Sequence, residues 1–333
     1  MQGLTLVGSG WHPLLFRAEI QALTGPIEVI SPRVLYIPLI DSTLERLSRA
    51  ALLDEVISDS GRYWVNPKAS QEDLCLNIAE WAHKHLPEGS FAVRTRRLGV
   101  GIPGFSRSTI DKKVGSLVAS ESRPVDLETP KNVISVVISG PEDGPIHRDD
   151  IGQNSPIVVW GLSHPDWQRE SYSGRAPTER PFFQPVSLDP RQARLLISLA
   201  HRRTSETETV IDPFCGTGGI AIEAALQGFE TLASDLDPRM GEGTLEISPL
   251  SVPKPRWRPV MSQELHLSGG VGMGVHSCLT RLTGAARGPL ARIWSRSSRL
   301  YLHPTKSTHK EHSVPCFRLL PRLFRWGQMR MSK

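Results

Sequence analysis

The stretch Val210-Ile211-Asp212-Pro213-Phe214-Cys215-Gly216-Thr217-Gly218-Gly219 decides how the rest of the chain is read. Thr209-Val210-Ile211 is a short buried strand, the glycines make a turn, and Ile220–Leu226 opens a helix that Gly228 closes. Thr231-Leu232-Ala233-Ser234-Asp235 then reads as a second strand, which completes a strand–helix–strand unit. Asp235 lies 23 residues beyond Asp212, the separation that one such passage requires. Ahead of the unit a helix begins at Asp189-Pro190, with the acid as N-cap and proline at the first helical position. It runs through Ala193, Leu195, Leu196, Leu199 and Ala200.

This arrangement is how a doubly wound fold holds an adenosine-type cofactor. Glycine lets the backbone approach a ligand without a Cβ clash, and an acid at the end of the second strand is placed to accept hydrogen bonds from ribose hydroxyls. The turn lacks the third spaced glycine of the dinucleotide fingerprint and begins with an acid instead. In a nicotinamide site that carboxylate would confront a pyrophosphate, whereas the amino group and sulfonium of S-adenosylmethionine are cationic. The charge points to S-adenosylmethionine and methyl transfer.

Upstream, residues 1–70 read as a small α+β unit, with a strand-like segment from Ile27 to Ile40 and a helix-like run from Ser42 to Ile57. Residues 71–86 repeat the helical pattern behind a Ser70 cap, and Ser90–Arg97 is a strand in which apolar and basic residues alternate at its end. Ser108–Val118 is a helix that presents Lys112 and Lys113, and Asn132–Ser139 is a strand. Residues 140–180 are rich in Pro, Gly, Ser and charge, and read as a linker.

Asp212–Gly219 and Ala233-Ser-Asp-Leu-Asp-Pro-Arg-Met240 together resemble the archaeal tRNA (guanine-N2)-methyltransferases that act on guanosine at position 10 of tRNA. The preceding Arg180-Pro-Phe-Phe-Gln-Pro-Val-Ser-Leu188 is similar to the segment that enters the methyltransferase domain of that family. Phe91-Ala-Val-Arg-Thr-Arg96, the Ser108–Val118 helix and Val125-Asp-Leu-Glu-Thr-Pro130 resemble a THUMP domain, a tRNA-binding module. The resemblance covers residues 1 to about 244 and implies an α/β fold: an N-terminal ferredoxin-like and THUMP part, then an incomplete Rossmann-like S-adenosylmethionine-dependent methyltransferase domain. It also implies that Asp212, Phe214, Gly216 and Gly218 form the cofactor turn, that Asp235 holds the ribose, and that Pro185, Ser187 and Leu188 line the methionine end. Arg94, Arg96, Arg97, Lys112 and Lys113 are the cations expected against tRNA phosphate, which such groups grip without regard to sequence.

The expected division is a ferredoxin-like unit over 1–70, a THUMP RNA-binding domain over 71–150, a linker over 151–185, the first part of a methyltransferase domain over 186–245, and a basic unassigned segment over 246–333. The last boundary rests on charge. Residues 246–333 carry 15 Lys and Arg against only Glu246, Glu264 and Glu311, and no Asp or Asn follows Asp237. A guanine-N2 methyltransferase of this type needs an Asp/Asn-Pro-Pro-aromatic loop after its fourth strand, whose oxygens accept from the exocyclic amine while the ring stacks on the flipped base. That loop has no counterpart here, so the catalytic residue is unknown and the chain as written is expected to be inactive. Residues 246–333 are either a divergent basic tail or the translation of a shifted frame; their scattered Ser, Arg, His and Trp without apolar periodicity favour the second. The alternatives in function are a non-catalytic tRNA-binding THUMP protein, or a sister tRNA methyltransferase acting on a different guanosine.

Four widely spaced cysteines support neither a disulfide framework nor a metal site. With no apolar run of membrane-spanning length and no signal-peptide pattern, a cytoplasmic location is the expectation. Oligomeric state is left open.

Overall fold

The computed structural model describes residues 3–9, 12–39, 43–141, 155–180, 184, 187–200, 209–235, 237 and 239–240, together with the backbone of 256–257. The chain forms two compact units, one of the described residues up to 173 and one of those from 174 on.

The first unit is built on β1 (Gly3–Gly8), α1 (Pro13–Thr24), β2 (Glu28–Ser31), β3 (Val34–Pro38), α2 (Thr43–Leu47), β4 (Leu53–Trp64), α3 (Gln71–His85), β5 (Phe91–Leu98), α4 (Arg107–Val118), β6 (Asn132–Ser139) and β7 (Ile157–Ser163). One sheet holds all seven strands in the order β2-β3-β1-β4-β7-β6-β5. Only β5 and β6 run parallel; the other neighbours are antiparallel. Residues 3–64 therefore have the βαββαβ element order and the β4-β1-β3-β2 strand order of a ferredoxin-like unit. The same sheet continues without a break through the residues assigned to the next domain, because β4 is long enough to pair twice. Its first half faces β1 and its second half faces β7. The register shifts where it changes partner, and there Asp59 takes a φ of 49°. At Gly61 a Cβ would lie 2.4 Å from the Trp160 ring, so only glycine lets that indole cover the strand.

A core of Leu74, Ile78, Phe91, Ile110, Val114, Ile134, Val136 and Trp160 lies between α3, α4 and the sheet. Helix α3 forms for the reasons its sequence suggests: Ser70 Oγ accepts from the Asp73 amide at 3.0 Å, Glu72 and Asp73 sit in the first turn, and the last turn carries His83, Lys84 and His85.

Two expectations fail in this unit. The helix expected from Ser42 to Ile57 stops at Leu47, and β4 begins at Leu53. Leu52, Leu53, Val56 and Ile57 are all buried, a doublet pattern that fits a helical stripe as well as a strand covered on both faces. Pairing of Val56 with Leu6 and of Ile57 with Thr5 decides for the strand. Residues 151–185 are not simply a linker, because Ile157–Ser163 is an interior strand between β4 and β6. Ile157, Val158 and Val159 are buried in succession, so no alternation marks the strand.

The second unit contains α5 (Pro190–Ala200), β8 (Thr209–Asp212), α6 (Gly219–Leu226), β9 (Glu230–Ala233) and β10 (Arg256–Trp257). Its sheet is parallel, in the order β10-β9-β8. This corrects the expectation that the sheet stops at its second strand: β9 is flanked on both sides, and the extra strand comes from the segment set apart as unassigned. A two-residue strand leaves no periodicity for the sequence to show, since the pairing is a property of the backbone. No helix among the described residues is long and apolar enough to cross a membrane.

Candidate functional site

Strand β8 ends on Asp212, and the chain turns sharply through Pro213–Gly218 into α6. Two positive φ angles make the turn possible, 51° at Gly216 and 75° at Gly218, the latter being the N-cap of α6. The turn is stitched to the end of β9: the Ser234 amide donates to the Asp212 carbonyl at 3.0 Å and the Cys215 amide to the Ser234 carbonyl at 2.9 Å. Asp235 closes it, with Oδ2 accepting from the Gly216 amide at 2.8 Å and Oδ1 from the Asp237 amide at 3.0 Å. An ionised carboxylate has about four lone-pair positions, so each of these oxygens still has one for a ligand hydroxyl.

A Cβ added at Gly216 would have nothing within 4 Å, so the turn faces open space where a small molecule can lie against its backbone. Phe214 stands half-exposed beside it. Asp212 is buried, and burial pushes its carboxyl up to about 6; the Phe214 amide, 3.4 Å away, opposes the rise and the charge of Asp235 adds to it. A cation near both acids would relieve that repulsion. The expected residues Asp212, Phe214, Gly216, Gly218 and Asp235 are thus brought together. Ser187 joins them through Thr217, whose hydroxyl lies 2.7 Å from Ser187 Oγ, while Leu188 packs against the start of α6 with its Cβ 3.5 Å from where a Gly219 Cβ would be. Pro185 lies outside the described residues.

Sequence reasoning missed Thr217 and a buried ionic cluster behind the turn. Glu223 is fully buried on α6, with Arg175 at 3.2 Å and Arg194 at 3.5 Å. The one signal available was an acid in the otherwise apolar run Gly219-Ile-Ala-Ile-Glu-Ala-Ala-Leu226.

The cations expected to meet RNA fare differently. Arg96 is held by Glu55 at 3.1 Å and Asp54 at 3.6 Å, the latter also bridged by Arg169. Arg94 donates to the Leu127 carbonyl, and Lys113 pairs with Glu72 at 3.3 Å. Arg97 and Lys112 are exposed and have no ion-pair partner among the described residues. The five lie on two elements: Arg94, Arg96 and Arg97 on the edge strand β5, and Lys112 and Lys113 on α4.

Residues 177–264 match the UPF0020 family, an RMKL-like methyltransferase domain. The match runs past residue 245, in agreement with the third strand. The chain is also 32% identical over 203 residues to the tRNA (guanine(10)-N2)-dimethyltransferase of Methanothermobacter thermautotrophicus, covering 61% of this chain and 52% of that protein. With the enzyme of the same name from Methanocaldococcus jannaschii it shares 33% identity over 200 residues, 58% of this chain and 49% of that protein. With the human tRNA (guanine(10)-N(2))-methyltransferase TRMT11 it shares 29% over 133 residues, 39% of this chain and 27% of that protein. The chain is similar in sequence to these tRNA guanine-N2 methyltransferases, and it spans about half the length of the archaeal relatives it matches. Among solved structures, TrmN from Thermus thermophilus aligns with a TM-score of 0.45 and 24% identity, covering 78% of this chain and 74% of that one.

Proposed function

We propose that the second unit is the cofactor-binding half of a methyltransferase that transfers a methyl group from S-adenosylmethionine to the N2 amine of a guanosine in tRNA, and that the first unit supplies tRNA binding through a THUMP-type region. The observation that carries this reading is the Asp212–Asp235 turn, open at Gly216 and acidic where a cationic cofactor would lie, inside the segment that matches a methyltransferase domain. Asp235 would hold the ribose hydroxyls, Asp212 the positive amino-acid end, and Phe214 and the glycine backbone the adenosyl face. The cofactor supplies an electrophilic methyl on sulfur; the protein's contribution is to hold that end and exclude alternatives in orientation. Arg97 and Lys112 are the first candidates for phosphate contact, since the other three basic residues already have partners.

A second reading, a tRNA-binding protein without turnover, is favoured by one specific observation. A guanine amine is a poor nucleophile and needs an acceptor beside it, yet no Asp or Asn follows Asp237 to supply the Asp/Asn-Pro-Pro-aromatic loop. We infer that the frame shifts beyond the third strand, after residue 264, where the family match ends. Sequencing the gene across the codons around residue 264, with intact mass of the purified protein, decides whether the basic segment is what the cell makes.

The cofactor assignment is tested by calorimetry with S-adenosylmethionine. Asp235→Ala is expected to weaken binding by about 1.5–3 kcal/mol, the loss expected for hydrogen bonds to a charged group. Equal affinity in parent and variant overturns it.

A further inference from the structure

Behind the glycine turn the charges do not balance. Arg175, Arg180 and Arg194 converge on a single fully buried acid, Glu223, which Arg175 and Arg194 already hold. Arg180 is left over. It is 7% exposed; its Nε donates to the Arg175 carbonyl at 2.9 Å, but both terminal nitrogens are buried without a hydrogen-bond partner. Asp189, whose charge also reaches it, is exposed and occupied in capping α5 through the Arg191 and Gln192 amides. Burial pulls the Arg180 guanidinium down from its usual range, which is the sign of a cation short of a partner. A buried guanidinium with four unused N–H groups on its two terminal nitrogens is costly unless an anion completes it.

Where that guanidinium sits is informative. Its Nη1 lies 3.9 Å from the point where a Cβ on Gly219 would be, and the Leu188 Cβ and carbonyl lie 3.5 Å from the same point. Gly219 is the first residue of α6, and the Gly218 N-cap offers no side-chain acceptor to the helix. The first amides of a helix have no acceptor within it, and the helix dipole adds positive potential there. An unpartnered cation and an uncapped helix start therefore converge on one place, next to a turn whose other wall, Asp212 and Asp235, is acidic. A ligand that bridges the two walls must be cationic at one point and anionic at another.

We propose that Arg180 is the counter-ion for the carboxylate of the amino-acid end of S-adenosylmethionine, received at the start of α6; this rests on the cofactor reading above. The α-amino group is then directed to the Asp212 side and the carboxylate to the Arg180 side, so the zwitterion reads the turn's polarity. Arg180 is a binding residue in this scheme, with no part in the transfer itself.

The test compares S-adenosylmethionine with its decarboxylated form, which keeps the sulfonium and the amine, by calorimetry on the full chain. The parent is expected to prefer the carboxylated compound by about 10- to 100-fold, the range for hydrogen bonds to a charged group. Arg180→Gln is expected to remove that preference, weakening S-adenosylmethionine by the same factor and leaving the decarboxylated compound within about twofold. Arg180→Lys should keep part of the preference. A parent that does not discriminate, or a preference that survives Arg180→Gln, overturns the proposal, as does an equal loss for both compounds. If Arg180→Gln does not fold, the parent's preference and that of Arg180→Lys decide. A parent that binds neither compound overturns the cofactor reading itself, and that outcome is distinct from a parent that binds both equally.

Discussion

The two units are held together by opposite means. In the first, strands separated by a hundred residues are zipped edge to edge around an apolar core, and several of its buried polar groups have partners far along the chain: Ser31 Oγ meets Ser139 Oγ at 2.9 Å, and Glu19 accepts from the Ala51 and Leu52 amides at 2.6 and 2.9 Å. In the second, the described strands are no longer than four residues, one cluster of its core is only Cys215, Ala221 and Ala233, and the interior carries Asp212, Glu223, Arg180 and Arg194. An apolar interior is stable by itself, whereas buried charges are stable only when each has its partner. The first unit has the makeup of a scaffold, whereas the second depends on how its buried charges are paired.

The largest effects separate these two kinds of interior. Glu223→Ala removes the one acid that Arg175 and Arg194 share, and breaking a buried pair in this way typically costs about 3–5 kcal/mol. Phe91→Ala, at a fully buried core position of the first unit, is expected to cost a similar 3–5 kcal/mol by leaving a cavity. Scanning calorimetry with and without S-adenosylmethionine tells the cases apart: ligand should raise the transition of the Phe91 variant's second unit as in the parent, and should fail to do so in the Glu223 variant. Equal ligand stabilisation in both would show that the ionic cluster does not support the turn.

Asp212 provides a smaller effect with a definite pH window. Its carboxyl titrates near 6 in the folded chain against 3.8 unfolded. Below pH 4 it is neutral in both states. Between about pH 4 and 6 the unfolded carboxyl ionises while the folded one keeps its proton, so stability falls with rising pH, by up to about 3 kcal/mol in all, and then levels off. Asp212→Asn should flatten that slope and leave the variant the more stable above pH 6, while its S-adenosylmethionine binding should weaken if, as proposed, this carboxylate faces the cofactor's cationic end. Urea titrations at pH 4, 5, 6 and 7 check the first statement; an identical slope in the variant would mean that another group titrates.

What the sequence made legible follows the same division. Local devices were readable: the cap at Ser70, the acid and proline at Asp189-Pro190, and the glycines of the Asp212 turn each announce themselves within four residues, and the structure has them where the sequence puts them. Devices whose two halves are far apart were not. Strand β7 hides because Ile157, Val158 and Val159 are buried on both faces, and its neighbours β4 and β6 are set by pairings such as Gly61 with Trp160 that no local pattern predicts. Arg175, Arg180, Arg194 and Glu223 are scattered over 49 residues, and only the fold shows that three cations meet one acid. Arg96 reads as a free cation in its strand, yet its charge is taken up by Asp54 and Glu55.

The smallest effect compares one device across both units. Ser70 Oγ accepts from the Asp73 amide at the start of α3, and Asp189 Oδ1 accepts from the Arg191 amide at 2.9 Å at the start of α5. An N-cap replaced by Ala costs about 1 kcal/mol wherever the helix is, because the same orphan amide loses its acceptor. What differs is how far the loss spreads. In the first unit α3 packs through Leu74, Ile78 and Ala82 onto a sheet whose strands are all linked, so Ser70→Ala should lower the stability of the whole unit, and amide protection in α3, β5 and β6 should fall together by about fivefold. In the second unit the short strands and charged interior give less to couple, so Asp189→Ala should show its loss chiefly in the first turns of α5, with β8 and β9 little changed until S-adenosylmethionine is added. Hydrogen exchange read residue by residue makes the comparison. A uniform fall across the second unit in the absence of ligand would show that its charged interior is already cooperative, and that Arg180 has found a partner without the cofactor.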